Sequence, residues 1–436
     1  MPVIAVLGTM DTKAEELGYV AAEIRRLGHE PLLVDVGTGG PPGIVAGISR
    51  EAVAAASGID FAALVARQDR GECVAAMAAA AAAFVPRLAR EARIDGILAL
   101  GGGGGTAIGT AAMRALPIGF PKLMVSTLAT GNTAAYVGGR DIVMFPSIVD
   151  VCGLNRILRL LLSRAAGAIC GMVAQRPAPE HQDRPVIVAS MFGNTTACVT
   201  AARAILEQAG YEVLVFHATG AGGKTMEALI ESGLASGVLD VTTTEWADEL
   251  VGGILSAGKT RLDAAQQAAL PAVIAPGCLD MVNFGEPASV PARFAGRRFY
   301  RHNPQVTLMR TTCAECAELG RILAEKINAY WAPTTILFPA KGLSAIGEPG
   351  QPFWDPDADA ALLAALQRNL HQDVPLVVLD VSINDPSFAE ACAGALLANI
   401  RANEAEQLPA ERTAGVPETR AWSTPGCMRP DQGRFG

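Results

Sequence analysis

Short apolar runs alternate with helix-like segments along most of the chain. Five near-continuous apolar runs in the first half are VIAVLGT, PLLVDV, DGILALG, KLMVST and DIVMFPS. Runs of this kind are typical of parallel strands that are buried on both faces. The segments between them have helical spacing, as Leu17, Val20, Ala21 and Ile24 do before a helix-ending Gly28. The pattern predicts an α/β fold with a mostly parallel sheet.

A polar, proline-rich segment interrupts this alternation near the middle of the chain. After it the pattern starts again with PVIVASMFG, EVLVFHATG, GVLDVTT, PAVIAPG, TTILFPAKG and PLVVLDVSIND. We therefore predict two Rossmann-like, doubly wound subdomains with a cleft between them. Their predicted bounds are 1–177 and 186–403, with a linker at 178–185 and a polar tail at 404–436.

Composition and charge narrow the class of protein. The chain has 436 residues, with 35 basic and 43 acidic side chains and a net charge of −8. Without a basic run, non-specific nucleic-acid binding is disfavoured. The start of the chain does not have the pattern of a signal peptide, and no apolar run reaches a membrane-spanning length of about 18 residues without Gly, Pro or charge. We expect a cytoplasmic protein without a membrane span, and the nine cysteines are expected to be free thiols.

Five consecutive glycines, Gly101 to Gly105, follow the third predicted strand and precede a helix that opens near Thr106. In a parallel α/β sheet, ligands bind beyond the carboxyl ends of the strands. Glycines allow close backbone approach, and the amides at a helix N-terminus attract anions. The loop therefore predicts a phosphate-binding site, although a tight strand-to-helix turn would use glycines too. It is not a P-loop, because no Lys follows at the required spacing.

Two neighbouring strand ends carry further small polar residues. The first strand is followed by Gly8, Thr9, Asp11, Thr12 and Lys13. Asp11 or Thr12 could simply cap the next helix, or this segment could contact a phosphate, a ribose or a magnesium-bound water. The fourth strand is followed by a hydroxyl-rich loop that contains Thr127, Gly131, Asn132 and Thr133. Three such loops at adjacent strand ends are expected to converge on one cleft.

Polar residues in the second half form a candidate catalytic set. Its members at loop positions are His217, Glu245, Asp280, His302 and Arg310. An acid or base, carboxylates and a cation suit chemistry on a small anionic molecule, but satisfied hydrogen bonds at interfaces would use the same residue types. The GAGGKT segment is interpreted as an anion-binding nest or an ordinary turn, and a threonine cap is the simplest interpretation of TTTE. No spacing predicts a metal site formed by protein ligands.

Several long segments resemble one known family. They are GTMDTKAEEL, LGGGGGTAIGTAAMRALPIGFPKLMVST, FPSIVDVCGLNRI, MFGNTT, LVFHATGAGGKTMEAL, VLDVTTTEWAD, LDMVNFG and HNPQVTLMRTT. Over nearly the whole chain the sequence is similar to the family of the tomato mosaic virus resistance protein, described as the Tm-one-like ATP-binding domain family. Its bacterial members form an uncharacterised protein family.

The resemblance implies two Rossmann-like subdomains, an ATP-binding site in the first of them, and a homodimer. The residues that would hold ATP are Gly8, Thr9, Asp11, Thr12, Lys13, Gly101, Gly102, Gly103, Gly104, Gly105, Thr106, Thr127, Gly131, Asn132 and Thr133. Relatives often have a serine among the loop glycines, and this chain lacks that hydroxyl.

The leading functional hypothesis is an ATP-binding protein that uses magnesium and acts on a small anionic substrate in the cleft. Whether it turns ATP over stays open, because hydrolysis is expected to be slow without a Walker lysine or a base that positions water. The alternatives are an ATP-independent small-molecule hydrolase or transferase, and a regulatory scaffold that binds nucleotide without turnover.

Overall fold

The computed structural model describes residues 1–175 and 184–407. Most of the predicted linker at 178–185 and of the predicted tail at 404–436 lies outside these ranges. The strands of the first half are β1 (Val3–Gly8), β2 (Glu30–Asp35), β3 (Gly96–Gly101), β4 (Lys122–Ser126) and β5 (Val143–Pro146). Its helices are α1 (Ala14–Arg26), α2 (Arg50–Ala55), α3 (Phe61–Ala66), α4 (Arg70–Arg90), α5 (Gly103–Arg114), α6 (Ala134–Val137) and α7 (Arg156–Ala174).

The first half is built on a five-stranded parallel sheet with strand order β2-β1-β3-β4-β5. Alternate residues of β1 pack on opposite faces, as the two-residue period of a strand requires. Ala5 and Leu7 join the core beneath α4 and α5, whereas Ile4 and Val6 join the core beneath α1 and α7. Helices therefore cover both faces, which confirms the predicted doubly wound fold.

The second half repeats this architecture with a six-stranded parallel sheet. The strands of the second half are β6 (Val186–Met191), β7 (Glu212–His217), β8 (Gly237–Thr242), β9 (Ala272–Gly277), β10 (Met281–Phe284), β11 (Phe299–Asn303), β12 (Val306–Arg310), β13 (Thr334–Pro339) and β14 (Leu376–Leu379). Its helices are α8 (Thr196–Gln208), α9 (Ala221–Glu231), α10 (Glu245–Val251), α11 (Asp263–Gln267), α12 (Cys313–Ile327), α13 (Pro356–Asn369) and α14 (Pro386–Gln407). The sheet order is β14-β13-β9-β8-β6-β7. One face carries α9, α12 and α13, and the other carries α8 and α14.

A three-stranded antiparallel sheet, β10-β12-β11, was not predicted from the sequence. The strand β10 has four residues, and β11 is exposed at Arg301, His302 and Asn303. Neither segment therefore shows the apolar run of a doubly buried strand. This small sheet lies between β9 and α12 in the chain and packs its inner face on the second half.

Two helices of the first half, α4 and α7, are long and apolar enough to span a membrane by length and composition alone. In this fold both pack on the first sheet. Seven residues of α4, including Met77 and Phe84, are buried on one side of that sheet, and Leu158 and Leu162 of α7 are buried on the other. Core helices of this kind pass the same composition test, so the two helices do not mark a membrane protein.

The two halves meet where the β4–β5 region of the first contacts α9 of the second. Arg140 donates from Nη1 to the carbonyl of Ala228 at 2.7 Å and to the Ser232 hydroxyl at 3.1 Å, and it forms an ion pair with Glu231. The amide of Ile118 donates to the same hydroxyl at 2.9 Å. These contacts connect the β4–β5 side of the first sheet to the second subdomain.

Candidate functional site

A cavity of ≈ 690 Å³ opens at the carboxyl edge of the first sheet. Loops that follow β1, β2 and β3 surround it, together with the turn that enters α4. The cavity is lined by Thr9, Asp11, Thr12, Lys13, Val36, Thr38, Gly39, Val65, Gln68, Asp69, Arg70, Cys73, Val74, Gly101, Gly102, Gly103, Gly104, Gly105, Ile108 and Asp150. This is the position at which parallel α/β sheets bind ligands, and the glycine loop forms one wall of the cavity.

Two glycines of the loop, Gly101 and Gly103, have different roles. A Cβ at Gly101 would lie 2.8 Å from the Cα of Gly105, so the turn itself requires glycine there. A Cβ at Gly103 would meet no atom within 4 Å. Helix α5 begins at Gly103, and no side chain of the described residues caps its first turn. Its first amides therefore remain available to a ligand in the cavity, as at an anion-binding helix N-terminus.

The segment after β1 does not cap helix α1 with a side chain. Lys13 occupies the N-cap position and makes no side-chain cap hydrogen bond, so the capping interpretation of Asp11 and Thr12 is wrong. The Asp11 carboxylate instead reaches across to the loop after β2, where its Oδ2 accepts from the amide of Gly39 at 2.6 Å. Its Oδ1 is buried and has no hydrogen-bond partner within residues 1–175 and 184–407. A buried carboxylate oxygen without a donor is available to a ligand hydroxyl or a metal-bound water.

The cavity contains both cations and carboxylates. Lys13 and Arg70 supply positive charge, and neither forms an ion pair in the described part of the chain. The Asp69 carboxylate is already used in a hydrogen bond, because its Oδ1 accepts from the amide of Glu72 at 2.9 Å and caps α4. Asp11 and Asp150 are the remaining carboxylates of the lining. This charge pattern suits an anion that is accompanied by a divalent cation.

The other predicted nucleotide-binding residues lie around the cavity rather than in its wall. A Cβ at Gly8 would lie 2.8 Å from Cδ2 of Leu17, so this glycine permits helix packing. The Thr106 side chain is fully buried and its hydroxyl lies 2.6 Å from the Ser126 hydroxyl. Gly131, Asn132 and Thr133 are absent from the described lining of the cavity, and Asn132 accepts from the amide of Ala134 at 3.1 Å.

A second cavity of ≈ 400 Å³ contains the remaining predicted residue, Thr127. It lies at the carboxyl ends of β4 and β5 and is lined by Ser126, Thr127, Thr130, Pro146, Ser147, Ile148, Val149 and Asp150. Asp150 belongs to both cavities, so they adjoin each other at this residue. The backbone at Ile148 has a φ of 63°, a conformation that β-branched residues rarely adopt.

Sequence reasoning missed two parts of the first cavity. Thr38 and Gly39 follow β2 in the segment DVGTGG. They could have been predicted, because ligands bind beyond the carboxyl ends of parallel strands. Gln68 and Asp69 lie between α3 and α4, and Arg70 is the first residue of α4; no strand ends there, so no sequence pattern indicated them. A left-handed Gln68, with a φ of 53°, turns the chain into α4 so that this helix begins beside the glycine loop.

The glycine-rich turn after β7 is already filled by a carboxylate of the protein. Oε1 of Glu245 accepts from the amides of Gly220 at 2.6 Å and Gly223 at 3.1 Å, and Oε2 accepts from Nε of Arg261 at 2.7 Å. Arg261 also forms an ion pair with Asp240. The nest therefore binds an internal anion, and the Thr244 side chain makes no cap hydrogen bond.

The structure brings together two candidate catalytic residues, Asp280 and Arg310, in a buried polar cluster. The Ser344 hydroxyl donates to Oδ2 of Asp280 at 2.6 Å, and Nη2 of Arg310 donates to Asp359 at 2.7 Å. Burial raises the pKa of Asp280, and the charge of Arg310 opposes that rise. Neither residue lines either cavity in the described part of the chain, and both are almost inaccessible to solvent.

The two candidate histidines are exposed and lie apart from that cluster. His217 ends β7 at the edge of the second sheet, where its ring stacks on Phe192 with centroids 5.3 Å apart. His302 lies on the exposed strand β11. Neither histidine lines either of the two cavities within the described residues, so all five candidate catalytic side chains are away from the glycine loop.

Comparison with known proteins finds relatives that match this chain over nearly their whole length and others that are longer. The chain is 47% identical over 395 residues to a UPF0261 protein of Clostridium tetani, an alignment that covers 90% of this chain and 98% of that protein. It is 42% identical over 335 residues to the ToMV resistance protein Tm-1(GCR237) of Solanum lycopersicum, covering 75% of this chain and 44% of that protein. The resemblance found in the sequence is thereby confirmed.

Solved structures show a weaker likeness. The UDP-N-acetylglucosamine 2-epimerase from Rickettsia bellii matches with a TM-score of 0.20 and 11% identity, covering 93% of this chain and 96% of that one. At this score the match has no weight for function. Family models match both halves: the N-terminal domain of the uncharacterised protein family UPF0261 over residues 2–178 and its C-terminal domain over residues 184–400. The chain therefore belongs to the uncharacterised protein family UPF0261.

Proposed function

We propose that this protein binds ATP, together with magnesium, in the first cavity. The observation that carries the proposal is the uncapped N-terminus of α5, which opens with consecutive glycines into a cavity of ≈ 690 Å³. Drug-sized ligands occupy sites of roughly 300–1,000 Å³, and a nucleoside triphosphate falls within that range.

The phosphates would lie against the glycine loop. The N-termini of both α5 and α1 border the cavity without a side-chain cap, so each supplies unpaired amides and the positive end of a helix dipole. Lys13 and Arg70 add two full charges at the same place. Backbone amides and cations together bind phosphate more strongly than either does alone.

The apolar part of the lining suits a base. It consists of Val36 after β2, Val65 in α3, Val74 in α4 and Ile108 in α5. A purine ring buries well against aliphatic side chains, whereas its polar edge needs only a few hydrogen bonds. The apolar side chains and the glycine loop therefore supply the two kinds of surface that the base and the phosphates of one nucleotide need.

Asp11 fits the magnesium that accompanies the phosphates. Oδ1 of Asp11 is buried without a protein donor in the described residues. Magnesium binds through one or two carboxylates, phosphate oxygens and several waters, so this one carboxylate can supply the protein ligand. We place the protein in the cytoplasm as a homodimer as part of the same proposal.

Titration calorimetry tests this proposal, with ATP, ADP and a non-hydrolysable ATP analogue, each with and without magnesium. The wild-type protein is expected to bind ATP with a micromolar dissociation constant. Gly103→Val should abolish that binding without unfolding the protein, because the new side chain enters open space. Gly167→Val is the matched control, since a Cβ at Gly167 in α7 also meets no atom within 4 Å.

The outcome separates the three functional hypotheses. ATP binding that Gly103→Val abolishes and Gly167→Val preserves supports the proposal. No binding of any nucleotide by the wild type refutes it and favours a hydrolase or transferase whose substrate carries its own anionic group. Tight ATP binding that never leads to turnover, with any added small molecule, favours a regulatory scaffold.

A further inference from the structure

The two cavities lie side by side along the carboxyl edge of the first sheet. Its strand order is β2-β1-β3-β4-β5, and the first cavity spans the ends of β2, β1 and β3, whereas the second spans the ends of β4 and β5. The glycine loop follows β3, the strand that pairs with β4. Phosphates bound to that loop therefore lie on the side of the first cavity that is next to the second cavity.

The polar groups that line the second cavity are hydroxyls and one carboxylate. No Lys, Arg or His belongs to its described lining. The Ser126 hydroxyl accepts from the amide of Leu128 at 3.0 Å, and the Ser147 hydroxyl donates to the carbonyl of Val149 at 2.6 Å.

Three polar side chains of the second cavity are left for a ligand. Thr127, Thr130 and Asp150 have no side-chain hydrogen bond within residues 1–175 and 184–407. Hydroxyls with one carboxylate and no cation suit a neutral polyhydroxylated molecule and disfavour an anion.

A strained turn places Asp150 where the cavities join. The amide of Val149 donates to the carbonyl of Ser147 at 2.6 Å, so the chain reverses tightly around Ile148, whose φ is 63°. A β-branched residue with this φ costs of order 1–3 kcal/mol, and such strain clusters at functional sites.

We propose that the second cavity binds a neutral sugar or polyol and that this molecule accepts the terminal phosphate of ATP. The inference rests on the proposed ATP site. A hydroxyl oxygen of the acceptor forms a bond to the γ-phosphorus, and the bond from that phosphorus to the β–γ bridging oxygen breaks. ADP leaves with the bridging oxygen, and the hydroxyl proton passes to the carboxylate of Asp150, which is exposed and releases it to solvent.

Acceptor-dependent ADP formation tests the inference. Wild-type protein with ATP and magnesium is assayed with the neutral acceptors glycerol, D-ribose, D-glucose and myo-inositol, and with the anions acetate, D-glycerate and 3-phosphoglycerate. At least one neutral acceptor is expected to raise the rate of ADP formation tenfold or more and to be recovered with a phosphate ester. Stimulation by the anions alone, or by none of the compounds, overturns the inference.

Two variants separate binding of the acceptor from chemistry. Thr130→Phe should fill the second cavity and raise the acceptor KM while the Kd for ATP stays unchanged, because Thr130 does not line the first cavity among the described residues. Asp150→Asn should lower kcat by roughly 10²–10⁴-fold, the usual effect of losing a general base. Asp373→Asn, an exposed carboxylate in the second half, is the control that should leave both constants unchanged.

The results also distinguish this inference from the ATP proposal. A wild-type protein that does not bind ATP refutes the nucleotide site itself. Normal ATP binding with an unchanged kcat in Asp150→Asn refutes only the role of Asp150 and of the second cavity.

Discussion

Replacing Glu245 with alanine would empty the glycine nest of the second half. Both oxygens of this carboxylate are used: Oε1 accepts from the amides of Gly220 and Gly223, and Oε2 accepts from Arg261. The side chain is fully buried, at 0% exposure. Alanine would leave two buried amides without an acceptor and would leave Arg261 with Asp240 and Glu227 as its remaining carboxylates.

The expected cost is about 4 kcal/mol. Removing one partner of a buried ion pair costs about 3–5 kcal/mol, and each hydrogen bond to a charged group contributes about 1.5–3 kcal/mol. These contributions overlap because they involve one carboxylate, so they do not add in full. With a urea m-value of about 2–3 kcal/mol/M, the unfolding midpoint of the second half should fall by roughly 1.5 M.

Equilibrium unfolding in urea measures this shift. Trp246 reports on it directly, because it follows Glu245 in α10 and is buried at 5% exposure. Glu212→Ala, which removes an exposed carboxylate at the start of β7, is the control and should leave the midpoint unchanged. Added acetate should partly restore the variant by occupying the nest. A midpoint that falls by less than about 0.3 M would refute the reasoning, since a loss below 1 kcal/mol is that of a surface ion pair.

Three further results are expected. Lys13→Ala should weaken ATP binding by about tenfold or more in calorimetry, as loss of a charge-assisted hydrogen bond predicts. Burial raises the pKa of Asp248 from its usual 3.8 to about 7. Between these pH values the folded state retains a proton that the unfolded state releases, so the free energy of unfolding should fall as pH rises. Asp248→Asn should remove that fall, of at most about 4 kcal/mol, in urea unfolding at a series of pH values. Gly109→Ala should cost about 1–3 kcal/mol and lower the thermal midpoint by overpacking, because its Cβ would lie 2.8 Å from Ala99 and 2.9 Å from Met124.

The parallel strands could be predicted from sequence because they are buried on both faces. The segment GILALG of β3 has no exposed position, so its composition alone distinguishes it from a surface strand. The segment FYRHN of β11 is mostly exposed, and its pairing with β12 depends on residues that follow it in the chain. An exposed strand has no apolar run that would predict it, and β10 is buried but only four residues long, so the antiparallel sheet was missed.

The candidate site was predictable where it follows strands and unpredictable where it depends on tertiary contacts. Thr9, Lys13 and Gly103 lie at strand ends, and the carboxyl-edge rule places them in one cavity. Arg70 reaches the same cavity only because α4 packs against α5, two helices that β3 separates in the chain. The partner of Asp11 is the amide of Gly39, 28 residues away, and no local pattern marks that bond.

The two halves use one local design with opposite outcomes. A strand, a glycine-rich turn and a helix occur both at α5 and at α9, and from sequence both turns suit an anion. At α9 the anion is Glu245 of the same chain, held in turn by Arg261, so the amides are already satisfied. At α5 no side chain in the described part of the chain caps the helix, and the glycines open into a cavity with Lys13 and Arg70. An internal carboxylate fixes a fold, whereas an open nest with unpaired cations is stable only if solvent or a ligand supplies the anion. This difference is the physical reason to seek ligand chemistry in the first half and to expect stability effects from the second.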